Sequence, residues 1–172
     1  MLHIAMLAAA LQTAPPPPAT PPPRPPIDCT DADHSAFNFW LGEWDVSVGS
    51  VVLARSTISP VAGGCAVEEN FHQTVGRGGV PMDYHGASYS VFDPRAGKWR
   101  QFYVDSNGSV TQFEGGVVDG AMVLIAPSAG PVIQRMIVAP QPDGTVRQTG
   151  STSSDGGATW SAPGYDFTYR RR

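Results

Sequence analysis

From Glu43 onward, apolar and polar residues alternate with a period of two. Trp44, Val46 and Val48 fall on one face and Glu43, Asp45 and Ser47 on the other, as a strand with one buried face requires. Runs of this kind recur over 43–48, 51–59, 65–74, 84–92, 98–105, 109–117, 121–126, 132–139, 145–153 and 160–170. Between them stand Gly49-Ser50, the segment 76–81, Asp93-Pro-Arg-Ala-Gly97, Asn107-Gly108, Asp119-Gly120, Asp143-Gly144 and Asp155-Gly-Gly157. Asn-Gly and Asp-Gly adopt the left-handed turn conformations that join antiparallel strands, so these pairs mark hairpins. Helix is confined to a short plug before the first strand, with a start near Ser35 behind Asp28, Asp31 and Asp33. The pattern predicts an all-β antiparallel meander of about ten strands. Closure into an up-and-down barrel around a cavity hides its edges most simply, and a flat sheet or sandwich is the alternative.

The stretch Phe37-Asn-Phe-Trp-Leu-Gly-Glu-Trp-Asp-Val46 joins the plug to the first strand and places Gly42 two residues before Trp44. Gly-X-Trp at this position resembles the entry signature of the lipocalin and fatty-acid-binding barrels. The wider Phe-X-Phe-Trp-X-Gly-X-Trp resembles a bacterial family of unknown function with a lipocalin-like barrel, over roughly residues 37–172. The resemblance implies a fold more than an activity. It also implies that Trp44 closes one end of the barrel, with a basic side chain of the last strand on its outer face. Strand alternation names Arg170, and Arg171 if a bulge intervenes.

The remaining chain suggests three segments. Residues 1–14 form an apolar run ending in small residues, which has the character of a signal peptide and is too short to span a bilayer. Residues 15–34 form a proline-rich, disordered spacer, nine prolines falling between Ala14 and Pro26. Residues 35–172 are the barrel domain. Cys29 and Cys65 suit one disulfide in an exported domain, which points to a periplasmic or secreted protein. Lys and Arg number 11 against 15 Asp and Glu, a formal charge of −4, with the basic residues clustered only at Arg170-Arg-Arg172. Nucleic-acid binding needs a broader basic face.

No residue set compels a reaction, and the expectation is no catalytic residue, no metal and no cofactor. Ser153-Ser-Asp155-Gly-Gly157-Ala-Thr159-Trp160 matches the Asp-box of sialidase-like propellers, in which the Asp caps its own turn and the Trp packs beneath. One copy makes a hairpin and not a propeller, so Asp155 and Trp160 are structural. Asn107-Gly-Ser109 is a formal glycosylation sequon but reads as a turn. His72 and His85 lie on neighbouring strands and can face each other, as in haem-binding nitrobindin-type barrels, yet no His-X-His spacing appears and half-exposed side chains are the simpler reading. Gly86-Ala-Ser88-Tyr-Ser90 is no nucleophile elbow. Glu68 and Glu69 are adjacent and point to opposite faces.

The parity of polar residues points to a cavity. Trp99, Gln101, Tyr103 and Asp105 share one face of their strand, and Ser88 and Ser90 share a face with Tyr84 and Phe92. If these faces point inward, they give a pocket with aromatic walls and hydrogen-bonding groups, with Arg135 and Gln148 as anchors for an acidic or carbonyl ligand; otherwise the opposite parity is the core. The resulting expectation is a carrier of a small apolar or amphipathic molecule, of unspecified oligomeric state. The alternatives are a catalytic barrel, of isomerase or hydratase type, with Asp105 or Glu69 as a general base raised by burial, and an envelope module for protein contacts.

Overall fold

The structure, a computed structural model, describes residues 28–127 and 130–172. Ten antiparallel strands close into an up-and-down barrel: β1 (Gly42–Val48), β2 (Val51–Val61), β3 (Ala66–Val75), β4 (Pro81–Asp93), β5 (Lys98–Asp105), β6 (Val110–Val118), β7 (Ala121–Ala126), β8 (Ile133–Pro140), β9 (Val146–Ser153) and β10 (Tyr165–Arg171). Each strand pairs with its neighbours in sequence. The seam is closed by β1 against β10, with Trp44 opposite Arg171 and Val46 opposite Tyr169. Closure leaves no edge strand in the barrel among the described residues.

Two strand starts differ from expectation by more than one residue. β4 begins at Pro81, where a missing N–H is tolerated and a register shift lets Pro81 pair with Val75. β10 begins at Tyr165 and not 160, because Ser154 to Gly164 form a long hairpin loop stitched by Ser161 N to Thr152 O and Gly164 N to Gly150 O, both 2.8 Å. The plug helix α1 (Ala32–Ser35) ends at Ser35 instead of starting there: the Asp31 carboxylate accepts from His34 N at 2.9 Å and so caps the helix three residues earlier. Residues 28–34 therefore carry structure, while the expected leader and the proline tract up to 27 lie outside the described residues.

After α1, a 3₁₀ turn over Asn38–Trp40 lays the plug across one barrel end. Phe37 and Trp40 are fully buried there, stacked at 5.0 Å, with Trp99 edge-on to Phe37 and Tyr169 edge-on to Trp40. Two indoles are fastened to plug carbonyls, Trp44 Nε1 to Trp40 O at 2.9 Å and Trp99 Nε1 to Asp33 O at 3.1 Å. Cys29 and Cys65 form a disulfide that ties the residues before α1 to the start of β3.

Arg171, and not Arg170, lies over the Trp44 ring, its guanidinium carbon 4.5 Å from the centroid. Residues opposite each other across an antiparallel ladder share a face, so the Trp44–Arg171 pairing puts this arginine on the indole with no bulge along that ladder. Arg170 pairs with Asp45 on the outer face. Gly42 is required beneath: its φ is +142°, and a Cβ there would fall 2.5 Å from the Arg171 guanidinium.

Candidate functional site

The plug seals one end, and the barrel holds a cavity of about 300 Å³ toward the other. The inward faces of β3, β4, β5, β6 and β8 to β10 line it, because alternation sends every second side chain inside. Phe71, Tyr84, Tyr103, Phe113 and Phe167 give aromatic walls, and the amides of Gln73, Gln101, Gln134 and Gln148 stud them. A single carboxyl, Glu69, reaches the cavity, and no Lys or Arg lines it among the described residues.

Glu69 is 5% exposed. Ser56 Oγ donates to its Oε1 at 2.8 Å. Tyr169 has one hydroxyl proton and two acceptors in reach, Gln148 Oε1 at 2.8 Å and Glu69 Oε1 at 3.2 Å. A carboxylate with so few donors, removed from water, resists ionisation, and burial pushes Glu69 up to about 7 against the lowering effect of those hydrogen bonds. Its Oε2 accepts no hydrogen bond among the described residues and is not sealed from the cavity. Burial and the Glu69 charge also push Tyr169 well above the usual phenol range.

The raised Glu69 should show in the pH dependence of stability. It holds its proton more tightly folded than unfolded, so the contribution is fully present below about pH 4.5 and is lost as pH rises through about 7. From those limits the loss is roughly 3 kcal/mol. The carboxylates held low by hydrogen bonds, such as Asp93 and Asp155, titrate below this window. Glu69→Gln keeps an acceptor for Ser56 and removes this titration, so urea unfolding at pH 5 and pH 8 should show a larger stability drop in the wild type than in the variant. Parallel profiles would assign the drop elsewhere.

At the mouth, Tyr84 and Tyr103 share a short hydroxyl–hydroxyl hydrogen bond, and Tyr84 OH donates to Asp105 Oδ2 at 3.1 Å. Asp105 does not suit the role of a base raised by burial. Its carboxylate caps the β5–β6 turn, accepting from Ser109 N at 3.0 Å and Asn107 N at 2.9 Å, and these bonds, the Ser109 one foremost, hold it below the usual carboxylate range. Asp105 is also absent from the cavity lining.

The other residues named from sequence separate clearly. Gln101, Tyr103 and Gln148 line the cavity. Gln101 Nε2 donates to Ser90 Oγ at 3.0 Å, so buried Ser90 braces an amide from behind. Ser88 is buried in the same wall, opposite Glu69 and Tyr103, and its hydroxyl has no hydrogen-bond partner among the described residues. Trp99 points inward but is taken up by the plug. Arg135 is not a cavity anchor: β8 sends Gln134 and Met136 inside, and Arg135 stacks outside over Trp160 with its guanidinium carbon 4.1 Å from the ring centroid. Asp155 accepts from Ser153 Oγ, Thr159 N and Thr159 Oγ1, which closes the β9–β10 loop around Trp160.

Glu69, Gln73, Gln134 and Phe167 also line the cavity and stand outside the binding set expected from the sequence. Their parity matched Phe71, Met136 and Tyr169, which was the available signal. No protein-family model matches the chain, and no curated protein matches it.

Proposed function

We propose that the protein is an exported, lipocalin-like carrier that binds one small amphipathic molecule in the barrel cavity. The observation that carries this reading is the 300 Å³ cavity, of a size used for small ligands, with aromatic walls, four glutamine amides and one carboxyl. The charge pattern refines the ligand class. With a carboxyl and no cation in the lining, a neutral or cationic molecule with hydrogen-bond donors is favoured over the acidic ligand that Arg135 had suggested. The Phe-X-Phe-Trp-X-Gly-X-Trp resemblance supports the lipocalin-like assignment. Cys29–Cys65 and the apolar N-terminal run support a periplasmic or secreted location. No helix among the described residues is long and apolar enough to cross a membrane.

Native mass spectrometry of the protein isolated from its own cell extract tests the reading, with an environment-sensitive dye as a second probe. The expected result is a retained small molecule or saturable dye binding that Gln101→Ala and Tyr103→Ala weaken with limited loss of stability. Loss of folding in both variants without any binding by the wild type would make these side chains structural and remove the carrier reading. A second reading rests on Glu69: a carboxyl poised near neutrality and open to the cavity through Oε2 suits a general base. Turnover of the retained molecule, abolished by Glu69→Gln, would select it.

A further inference from the structure

Outside the barrel, on the opposite face of the β3–β4 wall from Glu69, three metal-ligating side chains converge. His72 and His85 are direct partners across the ladder, and Asp83 lies two residues before His85, on the same face of β4. The two imidazoles stack at 4.1 Å, and both Nε2 atoms turn to one carboxylate oxygen: His72 Nε2 stands 2.8 Å and His85 Nε2 3.1 Å from Asp83 Oδ1. All three candidate ligand atoms lie within 4.8 Å of one another. His72 and His85 border an external groove with Arg55, Thr57, Asn70 and Asp105. Arg55 is the nearest cation across the β2–β3 ladder, opposite His72, and is drawn toward Asp45 at 3.8 Å.

We propose that His72, Asp83 and His85 form a surface site for a borderline divalent transition ion of the zinc class. Neighbouring ligand atoms on a tetrahedral zinc stand about 3.3 Å apart, from bonds of about 2.0–2.1 Å, and the two His–Asp separations are already close to that edge. Two imidazoles with one carboxylate favour zinc, cobalt, nickel or copper over magnesium or calcium, which prefer oxygen donors. The ion takes the Nε2 lone pair of each ring and an oxygen of Asp83, any proton on those nitrogens passes to solvent, and water fills the open position. Two ligands of one tetrahedral ion diverge, so binding turns the rings out of their parallel stack. Both histidines are about half exposed, at 45% and 57%, and the turn disturbs no core. The site shares no ligand with the cavity and stands or falls independently of it.

The test is titration of the metal-stripped full chain with Zn²⁺ by calorimetry and with Co²⁺ by absorption at pH 7.5. One ion per chain is expected, with a dissociation constant on the order of micromolar and the strong visible bands of four-coordinate cobalt. His72→Ala, His85→Ala and Asp83→Asn should each weaken binding at least about tenfold, and His3→Ala should leave it unchanged. Circular dichroism checks that each variant stays folded. Absence of saturable binding below about 1 mM, or unchanged affinity in either His72→Ala or His85→Ala, would overturn the site.

Discussion

Trp44→Ala is expected to unfold the protein or to cost about 3–5 kcal/mol, the range for deleting a large aromatic from a packed interior. Trp44 is 1% exposed and sits where three structural links meet. Its indole N–H holds the Trp40 carbonyl of the plug, its ring meets Tyr169 edge-on, and Arg171 covers its outer face. Alanine would leave a cavity at the closed end, an unpaired carbonyl and an arginine with nothing to stack on. Arg171→Ala alone should cost about 1 kcal/mol, a cation–π contact at a partly solvated site. Arg170→Ala should not couple to Trp44, since Arg170 faces outward opposite Asp45. Urea unfolding of the single and double variants measures the coupling, with Trp44→Phe as the background if alanine fails to fold. Coupling of Trp44 to Arg170 instead of Arg171, or a stable Trp44→Ala protein, would contradict this closure.

Breaking the Cys29–Cys65 bridge is expected to cost about 4 kcal/mol in the chain-entropy account, given the 36-residue separation of the two cysteines. The loss should fall first on the plug. Beyond the bridge, α1 is held to the barrel through Trp99 Nε1 on Asp33 O and through His34 edge-on to Phe92. Lowered urea stability of the reduced protein and of Cys29→Ser/Cys65→Ser, with tryptophan fluorescence shifted to the red as Trp40 and Trp99 meet water, is the expected result. Free-thiol titration of the unfolded, unreduced protein should find none. Two reactive thiols, or equal stability with and without reductant, would count against the bridge and against export.

The strand pattern, the turn positions and the short aromatic plug were legible because each is encoded by neighbouring residues. Trp44, Val46 and Val48 alternate whatever lies across from them, and Asp119-Gly120 turns wherever it stands, with φ of +50° and +79°. Alternation also identified two faces for β5, and the face of Gln101 and Tyr103 is the inner one. Local pattern could not assign partners across the barrel. Arg171 reaches Trp44 through the closing register of β1 on β10, and Arg135 lies outside because β8 turns Gln134 inward. Asp105 and Glu69 looked equally suited to a raised pKa. The first instead caps a turn and the second, buried in the barrel wall, meets Tyr169, 100 residues away. His72 and His85 lack any adjacent metal spacing, and only their pairing brings both rings to Asp83. The sequence by itself determined which segments are strands and where they turn, since period and turn chemistry are local. Tertiary structure alone decided what stands opposite what, because register is set by pairing between distant strands, and with it the burial and charge of every group at the two sites.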